Sequence, residues 1–306
     1  MERKTFEDVP GGDTVVYDVA DPSNNYRLCT FGQTLEGHEA IFNNLPNFPI
    51  RDDDIILASY PKTGTNWLWE MILLALSKTT EVTGRSKGEM MLEAFPPEIF
   101  EQIPSPRLLN NHLLPRYEPK MMVEKKLKVI LLLRNPKDVV VSFYNHTKGI
   151  GMYEYDGKFE NYLQMFVRGE VDYGSYHGYL REWQQFIKDN KDYPILTVYY
   201  EDLQLDCLSE MKRICKFLNI DDDEERLSEI CSGCKIDNMK KTKIAKMSDE
   251  MKEAFKHILK GGFTIFRKGK VGDWKNWFTV AQNEMFDAWW SEQTSDIDLF
   301  SFKYTI

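Results

Sequence analysis

IILASYPKTGTNWLWEMILLAL, residues 55–76, reads as strand, turn and helix in one continuous run. Ile55, Ile56, Leu57 and Ala58 form a short apolar run after Asp52, Asp53 and Asp54, the pattern of a strand buried on both faces. Pro61 ends the ladder, and Gly64 permits close backbone approach to a ligand. Thr65 or Asn66 is the expected cap of the following helix, whose Trp67, Met71, Leu74 and Ala75 recur at helical spacing. First-turn N–H groups have no partner within a helix and lie at the positive end of its dipole, so such a turn attracts anions. Lys62 adds a full charge and Thr63 and Thr65 add hydroxyls, which suits a phosphate or a chemical relative. The Walker pattern places its lysine after the second glycine, whereas Lys62 precedes Gly64, so an ordinary ATPase loop is disfavoured. On this segment alone, a plain strand-turn-helix junction with an exposed lysine stays open.

The chain of 306 residues, 42% of them hydrophobic, can bury the core of one large α/β domain or two small ones. A net charge of -9 argues against nucleic acid as a partner, because that binding needs a basic surface. No run approaches the roughly 18 apolar residues of a membrane span and the N-terminus has no apolar leader, so a soluble, cytoplasmic protein without membrane contact is expected. Five scattered cysteines are expected to be free thiols in a reducing compartment, Cys231 and Cys234 included. The histidines do not add the pair of ligands that zinc would need there, so no metal is expected.

Residues 1–50 carry turn signals at Pro10–Asp13 and Asp21–Asn25 without strong periodicity, and read as an N-terminal arm packed on one domain spanning 51–306. Tyr26, Phe31 and Phe42 in that arm read as packing residues. Residues 79–106 are polar and punctuated by Gly and Pro, with the length of a lid or binding loop. A short apolar strand from Arg107 then ends at His112, and ligands gather at strand ends in open α/β sheets. Val129–Leu133 is a second buried strand that runs straight into Arg134, with Asn135 suited to the N-cap, Pro136 to the first helical position and Asp138 to the first turn. Arg134 reads either as a surface ion pair or as a bidentate grip on a second phosphate, and Ser142 lies on the helix that follows.

Helical spacing returns at Phe159–Val167, Tyr179–Ile187, Met211–Leu218 and Met251–Leu259, with a third strand at Pro194–Tyr200. This alternation predicts an α/β fold, a central mostly parallel sheet flanked by helices with a P-loop-like phosphate turn. Phe266–Lys275 is basic and glycine-bearing, either a solvated loop or a nest able to surround one anion.

Taken together, YPKTGTNW at 60–67, RNPKDVVVSFY at 134–144 and RKGKVGDWK at 267–275, with YGS at 173–175 and YED at 200–202, resemble the cytosolic sulfotransferase family from about Asp52 to Asn283. The resemblance implies the donor PAPS and the product PAP. Lys62, Thr63, Gly64, Thr65 and Asn66 match the family's 5′-phosphosulfate loop, Trp67 the residue stacked on adenine, and Tyr200 a tyrosine near the purine. Arg134, Ser142, Arg267, Lys268 and Gly269 match its 3′-phosphate contacts, and Cys234, Lys235, Ile236, Met239 and Phe266 complete the implied nucleotide site. His112 matches the catalytic base. Lys62 is implied to neutralise the leaving oxygen without magnesium, since a sulfuryl group in transfer carries less charge than a phosphoryl group.

Asn110, Asn111 and His112 are expected beside a small acceptor bearing a hydroxyl or amine. Phe95, Phe100, Phe143, Tyr144, His146 and Tyr153 are candidates for its pocket. Lys275, Thr279, Val280 and Glu284 match the family's short dimerisation motif, which implies a homodimer. Two departures stand out. The family has Lys-Thr-His where this chain has Asn110, Asn111 and His112, so a positive charge near the moving sulfuryl group is expected to be missing. A family Thr-Ser-Phe aligns with Cys234, Lys235 and Ile236, replacing a phenyl ring by an aliphatic side chain. The sequence therefore reads as a PAPS-dependent sulfotransferase. The alternatives are a nucleotide-binding relative without efficient catalysis and, third, a small-molecule P-loop kinase, which would turn over nucleoside triphosphate with magnesium.

Overall fold

Val15, Tyr17 and Val19 recur at a spacing of two, and all three are buried, to 3% exposure or less. In the computed structural model, which describes residues 1–221, 223–249, 252–253, 258–260 and 266–306, this run is a strand. The segment read as an arm is therefore an antiparallel sheet of three strands, β1 (Glu2–Glu7), β2 (Thr14–Asp21) and β3 (Tyr26–Leu28), followed by the helix Leu35–Asn44. Dense turn residues on either side of β2 hid the spacing of its apolar residues. Buried His38, on that helix, places Nδ1 2.7 Å from Asp18 of β2, tying helix to sheet. Tyr26 packs on Tyr117 with ring centroids 4.6 Å apart, a structural use as expected.

The second sheet holds β4 (Ile55–Ser59), β5 (Leu108–Asn111), β6 (Lys128–Leu133) and β7 (Ile195–Tyr199) in the order β5-β4-β6-β7, every pair parallel. β4 and β5 are buried throughout, as strands covered on both faces must be. The helices Thr65–Leu76, Pro136–Gly149 and Cys207–Leu218 are among those that flank this sheet, giving an α/β fold. Parallel pairing brings all four strand ends to one edge. Tyr60, His112, Arg134 and Tyr200 stand just beyond those ends. Tyr200, read as the last residue of a strand, is the first residue of the helix Tyr200–Leu205.

Of the helix read at 251–259, Met251, Ala254 and Phe255 lie outside the described residues. The cysteine reading needs correction. Cys207 and Cys231 form a disulfide with Cα atoms 6.0 Å apart, because the helices Cys207–Leu218 and Glu224–Gly233 pack together, which their separation of 24 residues did not announce. Cys29 and Cys234 remain thiols. Among the described residues no helix is long and apolar enough to cross a membrane.

At the opposite edge Arg107, which leads into β5, donates through Nε to Asp54 Oδ1 at 2.8 Å and through a terminal nitrogen to the Pro49 carbonyl at 2.8 Å. Both partners of this ion pair are at most 2% exposed. Removing one partner would leave the other charge stranded away from water. Arg107→Met is expected to lower unfolding stability by about 3–5 kcal/mol, and adding Asp54→Asn to recover part of it. Urea midpoints of the variants check this, and a loss below about 1 kcal/mol would contradict it.

Candidate active site

The turn after β4 is held open by neighbours on two sides. Tyr60 stacks on Tyr176 at 4.7 Å and its hydroxyl donates to the Gly174 carbonyl at 2.6 Å. Lys62 and Gly64 then adopt left-handed backbone, with φ of 71° and 113°. That conformation is strained for lysine and free for glycine. Gly64 itself is the N-cap, in place of the expected Thr65 or Asn66. Its conformation and crowding explain why: a Cβ there would lie 2.5 Å from the Tyr200 ring. Thr65 instead turns its hydroxyl to Ser59 Oγ at 2.8 Å, and Thr63 donates to the Tyr60 carbonyl at 2.9 Å. Lys62 Nζ lies 3.1 Å from His146 Nδ1. Burial, and then the charges of Lys87 and Arg134, pull the Lys62 ammonium down to about 7.

A second cluster forms where β6 ends. Asn135 caps its helix by accepting from the Asp138 N–H, while Glu201 accepts both the backbone and side-chain N–H of Asn135 at 2.9 Å. The carboxylate of Asp138 accepts the backbone N–H groups of Gly272 and Trp274 at 2.8 and 3.0 Å, stitching the basic loop onto the start of this helix. Arg134 is thereby set 4.2 Å over the Tyr200 ring and donates to the carbonyls of Lys62 and Lys270 at 3.3 and 3.0 Å. Asp273 receives Arg267 and Lys268. Burial opposes its ionisation, but hydrogen bonds from Lys268, Arg267 and Asn276 hold its carboxyl well below the usual range.

Gly269 is left-handed at φ 61°, and a Cβ on it would meet Ile236 at 2.7 Å, so the segment from buried Cys234 to buried Met239 adjoins the loop that follows Phe266. Lys235 is exposed at the N-cap of the helix Ile236–Lys246. Asn66 and Trp67 lie in the first turn after Gly64, with Trp67 edge-on to Tyr200 at 5.4 Å, and Ser142 is half-buried on the Pro136–Gly149 helix. Arg134 Nε, Arg267 Nε and Trp67 Nε1 are buried donors without a protein acceptor. Buried polar groups rarely stay unmatched, and cations and N–H donors gathered here fit an anionic nucleotide.

The third group stands after β5. His112 places Nδ1 2.7 Å from the Ser59 carbonyl, which only accepts, so Nδ1 carries the proton and Nε2 the lone pair. The His112 backbone N–H donates to Glu93 at 2.8 Å, and Tyr173 packs edge-on at 5.3 Å. Burial, and then the Lys87 charge, hold the His112 pKa well below its ordinary value, so the ring is neutral near pH 7.

A family description, the sulfotransferase domain, matches residues 52–298. The chain belongs to the sulfotransferase family. It is a PAPS-dependent sulfotransferase, similar to mouse Sulfotransferase 1A1, which is 32% identical over 286 residues covering 90% of this chain and 94% of the relative. The crystal structure of mouse sulfotransferase SULT7A1 complexed with PAP superposes with a TM-score of 0.71 at 28% identity, covering 90% of this chain and 94% of the other. Retinol dehydratase, in complex with androsterone and PAP, shares the fold at a TM-score of 0.74 and 20% identity over 96% of this chain and 92% of its own.

In this sulfotransferase a cation does stand beside His112, although Asn110 replaces the family's lysine. Lys87, 25 residues upstream, places Nζ 2.9 Å from His112 Nε2, and Asn110 donates to the Lys87 carbonyl at 2.7 Å. Asn111 is turned elsewhere, donating to Glu118 at 3.0 Å and accepting from the Leu113 N–H at 3.1 Å. Several candidate pocket aromatics are core instead. Phe100 packs on Phe48 at 5.2 Å, Phe143 on Tyr60 at 6.0 Å, Tyr144 on Trp277 at 5.6 Å, and Tyr153 donates to Asp172 at 2.7 Å. Sequence reasoning passed over Lys87, Ser59, Glu93 and the loop-anchoring role of Asp138. Only Asp138 had a local signal, as a first-turn carboxylate.

A phosphate held at Lys62 would link its affinity to pH. Its ammonium titrates at about 7 without ligand. A bound phosphate would raise that value, so affinity is full below it and falls as pH climbs through it. Calorimetry with PAP near pH 8 in buffers of different ionisation enthalpy should show net proton uptake that is lost in Lys62→Met. Equal uptake in both proteins would contradict the assignment.

Proposed function

We propose that this sulfotransferase transfers the sulfuryl group of PAPS to a hydroxyl, or an amine, of a small acceptor, with His112 as general base. The observation that carries this reading is the Nδ1 hydrogen bond to the Ser59 carbonyl at 2.7 Å, which leaves a neutral imidazole with its Nε2 lone pair on the side of the cations. Lys62, Gly64 and Thr65 would hold the phosphosulfate end of the donor, Trp67 and Tyr200 the purine, and Arg134 with Arg267 the 3′-phosphate. Bound PAPS supplies an activated sulfuryl group. His112 Nε2 takes the acceptor's proton as the acceptor oxygen bonds to sulfur, and Lys62 neutralises the phosphate oxygen left behind. The retinol dehydratase complexes hold androsterone and retinol, both small apolar alcohols, and an acceptor of that size is proposed here too.

His112→Ala is expected to lower transfer by about 10²- to 10⁴-fold while PAP binding persists. Labelled PAPS with a panel of phenols, alcohols and amines provides the measurement, and near-normal turnover in the variant would refute the base. PAP binding by the unaltered protein without transfer to any acceptor would favour a binding protein instead.

We also propose a homodimer built on Lys275, Thr279, Val280 and Glu284, all exposed around the start of the helix Val280–Gln293. Val280 is 76% exposed, unusual for a valine so well anchored by the Thr279 capping box. Light scattering at micromolar concentration should give a dimer for the unaltered protein and a monomer for Val280→Glu. A monomer in both cases would remove the proposal.

A further inference from the structure

Lys87 is a long cationic side chain with its carbonyl and its ammonium each engaged by a residue of the β5 edge. Its loop is pinned on both sides of the residue. Ser86 and Glu89 form a reciprocal cap, with the Ser86 N–H donating to Glu89 at 2.8 Å and the Gly88 N–H to Ser86 Oγ at 3.2 Å. Lys243, paired with buried Glu70, also holds the Arg85 carbonyl. Asn110 then takes the Lys87 carbonyl at 2.7 Å, which leaves only the side chain free to swing. That side chain ends 2.9 Å from His112 Nε2 and 3.6 Å from Met91 Sδ.

The ammonium therefore occupies the place from which an acceptor hydroxyl must donate to the base. A hydroxyl arriving there displaces it, and a tethered cation so displaced stays within a side chain's reach of the reacting atoms. Lys62 cannot serve both ends of the bond in transfer. Its ammonium sits beside His146 and would face the leaving phosphate oxygen.

We infer that Lys87 is a second catalytic lysine: it releases His112 Nε2 to the acceptor and turns to the oxygens of the sulfuryl group in transfer, with Asn110 as the positioning residue that holds its backbone. The assignment rests on the sulfuryl-transfer reading above. In the step itself, the acceptor oxygen forms its bond to sulfur, the bond between sulfur and the phosphate oxygen breaks, the acceptor proton passes to His112 Nε2, and the electron pair stays on the phosphate oxygen facing Lys62. Lys87 changes hydrogen-bond partner and keeps its proton.

The test uses 2-naphthol as acceptor and ¹⁵N spectra of histidine-labelled protein saturated with PAP. Lys87→Met should lower kcat about 10²- to 10³-fold with PAP affinity unchanged, as for loss of one donor to a developing charge. It should also move the His112 Nε2 resonance and raise the ring's titration midpoint, since an adjacent cation has gone. Lys87→Arg should keep part of the rate, and Asn110→Ala should lose less than Lys87→Met while shifting the same resonance. The double variant Lys87→Met with Asn110→Lys should regain part of the rate from the strand side. A kcat within about twofold of the unaltered protein in Lys87→Met, or an unmoved Nε2 resonance, overturns the inference alone. An unaltered protein inactive towards every acceptor overturns the transfer reading, and this role with it.

Discussion

Strands paired in parallel must all end at one edge, and in this chain the residues just past those ends make up the candidate site. β5, β4, β6 and β7 deliver His112, the Lys62 turn, Arg134 and Tyr200 to a single rim. At that rim the strand backbone runs out of ladder partners and the next helix presents unpaired N–H groups, so anions are drawn there. The register fixes the spacing. Ser59 lies beside the end of β5 because β4 and β5 pair Ala58 with Asn111, and so its carbonyl can set the tautomer of His112.

Electrostatics then bears on one group of the rim above all. Within a chain of net charge -9, the cations Lys87, Arg134 and Arg267 all push on Lys62. Burial amplifies the repulsion. It pulls the Lys62 ammonium down to about 7 and keeps the His112 and His146 rings neutral. Such a cluster is poorly stabilised until an anion arrives, which ties nucleotide binding to the settling of the site. The left-handed turn at Lys62 and Gly64 belongs to the same design, because the strain is localised where the phosphate end of the donor would lie.

Residues remote from the rim hold it in shape. Glu201 grips Asn135, Asp138 grips the loop before Trp274, and the Arg27 carbonyl accepts the Tyr173 N–H at 2.7 Å. Through that last bond the N-terminal sheet supports the ring packed against His112. Gly174 of the YGS stretch accepts from the Tyr60 hydroxyl while Tyr176 stacks on the same ring, and Glu201 of the YED stretch holds Asn135, so both stretches brace the rim.

By itself, the sequence determined what is local: the buried strands at 55–58 and 129–133, the turn with Lys62 and Gly64, the helix start at Asn135 and Pro136, and the glycine-bearing basic loop. Each of these is specified within a few residues, by apolar runs, caps and left-handed positions, so no distant partner is needed to recognise it. Tertiary structure alone decided which side chains meet. Lys87 and His112 come together across 25 residues, and Cys207 and Cys231 across 24. The apolar residues of β2 acquired meaning only with β1 and β3 beside them, and Phe100 and Phe143 became core rather than pocket through Phe48 and Tyr60. The physical reason is that a long-range contact depends on how elements pack and in what register, and a reading of neighbours along the chain holds no term for either.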